Sequence, residues 1–181
     1  MPTIDYISAE ANKLAKKYKT RDPFKVCDEL GIKIRYKDLG ADIKAFYFYQ
    51  SRIRNIVINT RVSDIVQNIL IAHELGHDRL HRQIAMLQGF RENELFGRAQ
   101  PTEYEANIFC AEFLMGDDEV LELLNDEDIS FFGVASELNV PAELLDFKFR
   151  VLKHKGYRVN VQYIANGDFL KNDVAGCYDD I

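Results

Sequence analysis

The 181-residue chain has no tryptophan, four prolines, three cysteines and four histidines. Each scarcity excludes something. Cys27, Cys110 and Cys177 are odd in number and far apart. That spacing argues against a disulfide framework and suits the reduced thiols of a cytoplasmic protein. No Cys-x-x-Cys pair occurs, which argues against a thiolate metal centre. No apolar run is long enough to span a bilayer. Met1 to Asp5 shows no basic stretch followed by an apolar core, so no secretory leader is expected. Basic residues are in deficit, 23 Lys and Arg against 29 Asp and Glu, for a formal net charge of -6. General binding to nucleic acid or an anionic membrane needs the opposite balance.

What is present is enough apolar residue, 47%, to build one ordinary core without staples. Residues 3 to 19 carry apolar positions at helical spacing. Asp22 and Pro23 open a second, short helix that ends at Gly31. "IKIRY", "AFYFY" and "RNIVINT" read as strands. Helical patterning resumes from Val62 to about Arg82, residues 84 to 100 read as a loop or irregular insertion, and a further helix runs from Thr102 to Met115. Short helices follow to about Lys155. The order predicts an α+β domain over 1–155: a small, mostly antiparallel sheet packed on a central helix, with a helical C-terminal part. Residues 129–155 form a helix-turn-helix-like subregion. Residues 156–181 read as an extension that begins with a strand and ends in an acidic tail.

Three of the four histidines fall in "HELGHDRLH", residues 73 to 81. His73-Glu74-Leu75-Gly76-His77 matches H-E-x-x-H, a pattern that carries a mechanism. Side chains four apart on a helix stand about 5–6 Å from one another on one face. Two imidazoles there can each reach one Zn²⁺ at about 2.0–2.1 Å. Glu74 lies roughly 100° around the helix, poorly placed to share the ion but close enough to hold a water beside it as general base. The alternative is an ordinary amphipathic helix. From this composition, a chance match has a probability of roughly 1%. Ile71 and Leu75 oppose the face of Val66, Ile69, His73, Gly76 and His77, which suits a buried helix. His81 lies about 12 Å along the axis from His73, too far to share one ion, and is expected to pack or to support a ligand.

A catalytic zinc site takes a third protein ligand. In "PTEYEANIFCAEFL", Glu103, Ala106, Asn107 and Cys110 share a face, which favours Glu103 over Glu105 as the inward acid. An acid opening a helix can instead serve the dipole. Asn107 is placed to accept a hydrogen bond from a ligand histidine.

"HELGHDRLH" followed by "EYEANIFCAEFLM" resembles the ImmA/IrrE-type metallopeptidases, whose pattern is HELGHxxLH and then E-x-x-A-N-x-F-A. The resemblance covers roughly residues 45 to 115. Cys110 replaces an alanine, Met115-Gly116 replaces Met-Pro, and the glycine usual before "AFYFY" is missing. The resemblance implies a zincin-like fold, His73, His77 and Glu103 as ligands of Zn²⁺, and Glu74 as catalytic acid/base. It also implies hydrolysis of a peptide bond in a specific protein, a helix-turn-helix transcriptional repressor of a mobile element or phage-like locus. The substrate would dock as an added strand on a sheet edge such as "AFYFY". Tyr104 and His81 are candidates to stabilise the oxyanion. The alternatives are a catalytically silent zinc-binding regulator, and a DNA- or protein-binding module built on the helix-turn-helix-like region. In that region Glu143 and Asp146 sit early in the second helix, which argues against direct DNA contact.

Overall fold

The computed structural model describes residues 2–88, 101–126 and 129–159. Helix α1 (Ile4–Tyr18) is capped by Thr3, whose hydroxyl accepts from the Tyr6 N–H at 3.3 Å, and it buries Ile7, Ala11, Leu14 and Ala15. Helix α2 (Pro23–Glu29) starts where Asp22 accepts from the N–H groups of Phe24 and Lys25. Three strands follow: β1 (Lys33–Lys37), β2 (Ala45–Gln50) and β3 (Ile53–Asn59).

The sheet is mixed, in the order β1-β3-β2. β2 and β3 pair antiparallel, as expected, but β1 and β3 run parallel, with Ile34 opposite Ile56. The expectation of a mostly antiparallel sheet is therefore corrected. The segment from residue 38 to 44 carries the chain past the place that β3 later fills. β3 then returns between its two predecessors and lies parallel to the first. Asn59 fixes that crossing segment, donating from Nδ2 to the carbonyls of Gly40 at 2.8 Å and Ile43 at 2.7 Å. The β2–β3 turn puts Ser51 and Arg52 at φ 52° and 65°. Two successive left-handed residues match the right-handed twist of a two-residue hairpin.

Helix α3 (Asp64–Leu80) holds the H-E-x-x-H segment and is buried on every side from Ile69 to Gly76. The sheet covers one flank and α5 (Pro101–Leu114) another, with α1 and α2 closing the rest. Residues 82–88 form helix α4 against β2, not the start of a loop. The remainder of the expected insertion, 89–100, lies outside the described residues, as do residues 160–181 with the acidic tail, Cys177 and most of the strand expected to open the extension; residues 156–159, which are described, form no strand. Cys27 and Cys110 are buried free thiols.

After α6 (Asp117–Leu123), helices α7 (Phe131–Glu137) and α8 (Ala142–His154) form the helix-turn-helix-like pair. α8 packs on α5 and buries Leu144, Leu145, Phe147, Lys148, Phe149, Val151 and Leu152. The ammonium of Lys148 is paired with Glu112 and Asp117 rather than offered to a phosphate. None of the described helices is long and apolar enough to cross a membrane.

Candidate metal centre

Gly76 sets the distance between the two helices that carry the site. A Cβ there would lie 3.2 Å from Phe109 Cδ1 and 3.3 Å from both Cα and O of Ala106. With no side chain in the way, the α5 backbone rests directly on α3. That close approach brings Glu103 to the two histidines of H-E-x-x-H.

His73 Nε2 and His77 Nε2 stand 3.2 Å apart. Glu103 Oε2 is 3.4 Å from His73 Nε2, and Glu103 Oε1 is 3.5 Å from His77 Nε2. Ligand atoms about 2.0–2.1 Å from a tetrahedral ion are separated by about 3.3–3.4 Å. The nitrogen–nitrogen separation and the approach of each nitrogen to its own carboxylate oxygen lie close to that edge length. Two imidazoles and a carboxylate are also a donor set suited to zinc. The residues present therefore fit one divalent ion, and His73, His77 and Glu103 could hold it. They form the one such His/Cys/Asp/Glu cluster among the described residues.

Glu74 is 6% exposed. Burial pushes its carboxyl up to about 7, with Glu103's charge acting in the same direction; His73 and the backbone N–H of Tyr47 oppose the rise. That backbone contact has a structural cause. The Asn59 N–H donates to the Lys44 carbonyl, so even-numbered residues of β2 face β3 and odd-numbered ones face away. Tyr47 N–H thus leaves the edge of the sheet and meets the carboxylate. His73 is fully enclosed; burial opposes its protonated form, but Glu103, Glu74 and the neighbouring Asn107 side chain more than offset this and raise its pKa. Asn107 lies near His73, but the hydrogen bond expected between them is not formed: His73 Nδ1 has no hydrogen-bond partner among the described residues.

The structure brings together all four residues that the sequence singled out. It corrects the reason for choosing Glu103. α5 is buried all round from Glu105 to Phe113, so no single apolar face marks the inward acid. Glu103 reaches the centre because it sits in the first turn opposite His73 and His77. Glu105 is buried as well and bonds His81, with Oε2 at 2.7 Å from Nε2. His81 Nδ1 in turn lies 3.1 Å from His77 Nδ1. His81 thus spends both ring nitrogens on these partners, which removes it as an oxyanion donor. Tyr104 packs edge-on against Phe147, with ring centroids 5.6 Å apart.

The sequence reading also passed over Asp78. It is completely buried and takes the Tyr47 hydroxyl at 2.8 Å, Arg82 Nη2 at 2.8 Å and Arg54 Nη1 at 3.4 Å. These bonds tie β2, β3 and α4 to α3 one residue after His77. An acid so close to the histidine pair was the available signal.

A family described as the IrrE N-terminal-like domain, a peptidase family, matches residues 27–150. The chain is 34% identical over 142 residues to a protein of Bacillus phage phi105 named uncharacterized immunity region protein 2, covering 78% of this chain and 88% of that one. It is 24% identical over 143 residues to metallopeptidase ImmA of Bacillus subtilis (strain 168), covering 78% and 83%. The match spans the two helices that bear the histidines and Glu103, and with it the chain belongs to the IrrE N-terminal-like peptidase family.

Proposed function

We propose that this protein is a zinc-dependent endopeptidase that cuts a specific protein, a helix-turn-helix transcriptional repressor, with His73, His77 and Glu103 as zinc ligands and Glu74 as acid/base. The observation that carries the reading is the convergence of two imidazole nitrogens 3.2 Å apart and a carboxylate whose two oxygens lie 3.4 and 3.5 Å from one nitrogen each, with a buried carboxyl on the residue after His73. A bound zinc would supply Lewis acidity, polarising the scissile carbonyl and easing ionisation of the attacking water. Glu74 takes the proton from that water and returns it to the departing amine. Its carboxyl suits both tasks, since a group poised near neutral pH gains and loses a proton readily. The Tyr47 N–H steadies the carboxylate at the edge of β2, where a substrate segment would align against the outward groups of Ala45 and Tyr49.

The substrate class is supported by the names of two relatives, one a phage immunity region protein and the other a metallopeptidase. The test is zinc content by mass spectrometry together with cleavage of candidate helix-turn-helix repressors, starting with any encoded beside this protein. One zinc per chain with cleavage abolished in Glu74→Gln is the expected result. Zinc bound without cleavage of any candidate repressor would replace the enzyme with a zinc-binding regulator.

A further inference from the structure

The residues that hold the centre do not end at the three that face it. His81 closes α3 with φ -122° and ψ 14°, its N–H still bonded to the His77 carbonyl at 2.9 Å. One turn after His77, its ring lies against that of His77, with centroids 5.2 Å apart. A continuous line of contacts results: Glu105 Oε2 to His81 Nε2 at 2.7 Å, His81 Nδ1 to His77 Nδ1 at 3.1 Å, and His77 Nε2 at the centre. The His81 and Glu105 side chains are 8% and 7% exposed.

Proton positions along this line are not independent. An ionised carboxylate only accepts, so His81 Nε2 must carry a proton. A neutral His81 then has a bare Nδ1, and His77 must donate to it from Nδ1. A neutral His77 with Nδ1–H leaves its Nε2 lone pair free. The one arrangement that reverses this keeps His81 doubly protonated and puts the His77 proton on Nε2, where it blocks coordination.

We infer that Glu105 and His81 are positioning residues that hold His77 in its Nδ1–H tautomer and so present its Nε2 to the metal. The inference rests on the zinc reading for its purpose but not for its test. An unassisted imidazole favours the opposite tautomer, so the pair biases His77 toward the binding form before any ion arrives. The arrangement extends the familiar carboxylate–histidine–metal support by one further imidazole.

The experiment is nitrogen-detected NMR of protein labelled at its histidines, metal-free and with Zn²⁺ added. Zinc affinity is measured in parallel by competition with a chromophoric chelator. In the wild type His77 is expected as Nδ1–H and His81 as neutral Nε2–H. His81→Phe, checked for fold by circular dichroism, should weaken zinc binding about 10–100-fold and move the metal-free His77 toward Nε2–H. His81→Gln offers an amide oxygen to His77 and an N–H to Glu105, and should recover most of the affinity. A doubly protonated His81 in the zinc-bound protein would overturn the inference, as would a folded His81→Phe with unchanged affinity. If His81→Phe does not fold, the wild-type spectra decide. If the wild type takes no zinc, the zinc reading falls. The metal-free tautomer of His77 then still decides the relay, with Nδ1–H supporting it and Nε2–H overturning it.

Discussion

Glu74→Gln should make the metal-free protein more stable, and increasingly so as pH rises. In the unfolded chain the Glu74 carboxyl loses its proton near the ordinary 4.5; in the folded chain burial pushes that loss up to about 7. Between these values the folded state binds the extra proton, so folding stability falls as pH rises through the interval and stays reduced above it. The gap, at about 1.4 kcal/mol per pH unit, comes to about 3 kcal/mol above neutrality. Glutamine keeps the volume and the acceptor for the Tyr47 N–H, and it removes only the charge. For a domain of this size, 3 kcal/mol corresponds to a Tm increase of roughly 6–12 °C. The assay is thermal unfolding of chelator-treated wild type and variant from pH 5 to pH 8. The advantage should be small at the acid end and full at the other. Adding zinc should shrink it, because a nearby dication favours the carboxylate. An advantage that does not grow with pH, or no advantage at pH 8, would refute the argument that desolvation sets the state of Glu74.

Gly76→Ala should destabilise by about 1–2 kcal/mol, because overpacking costs about 1–3 kcal/mol and better helix propensity returns up to about 1. The new Cβ meets Ala106 backbone, which cannot swing aside, so zinc affinity should fall as well when α5 is pushed from α3. Urea unfolding and a zinc titration check both effects. Glu112 lies fully buried, bonded to Lys148, to Lys155 at 2.7 Å and to Ser8 Oγ at 2.5 Å. Burial alone would raise its pKa, but Lys148, Lys155 and Ser8 hold it below the usual carboxylate range. Glu112→Gln should cost about 1–3 kcal/mol in urea unfolding, because the buried Lys148 ammonium loses one of its two carboxylate partners and is left with Asp117. Adding Lys148→Met should recover much of that loss, and a double variant no more stable than the single one would count against this account.

The helices and strands were legible because each carries its own local signal: the helical spacing of apolar residues from 3 to 19, Asp22-Pro23 as a start, Gly31 as a stop, the β-branched run of β3. What could not be read was decided by contacts remote in sequence. Nothing local to "IKIRY" says that β3 will come back between it and β2. The hairpin turn at Ser51-Arg52 has neither the asparagine nor the glycine that usually marks two left-handed residues, so its geometry is imposed by the pairing of β2 with β3. The pairing of His73 with His77 was legible for the opposite reason. A fixed spacing on a helix translates directly into a fixed separation in space, and His73 and His77 needed no tertiary information. Glu103 did need it: the face argument picked the acid that lies beside His73 and His77, but on a premise that the structure does not support.

The two helices share a register that gives each histidine a partner. His73 meets Glu103 and Asn107, His77 meets Glu103, and His81 meets Glu105. Three polar residues within about one turn of α5 thus serve three histidines spaced over two turns of α3. Sliding α5 along α3 by one residue would strand at least one of these side chains in the core. An unsatisfied buried polar group costs about 1–3 kcal/mol and a buried charge more. The pattern therefore selects one register strongly, and the contact of Gly76 with Ala106 selects one separation. The third histidine of "HELGHDRLH" is then informative in its own right. Lying outside the cluster of His73, His77 and Glu103, it calls for a second acid on the facing helix, and Glu105, two residues after Glu103, supplies it.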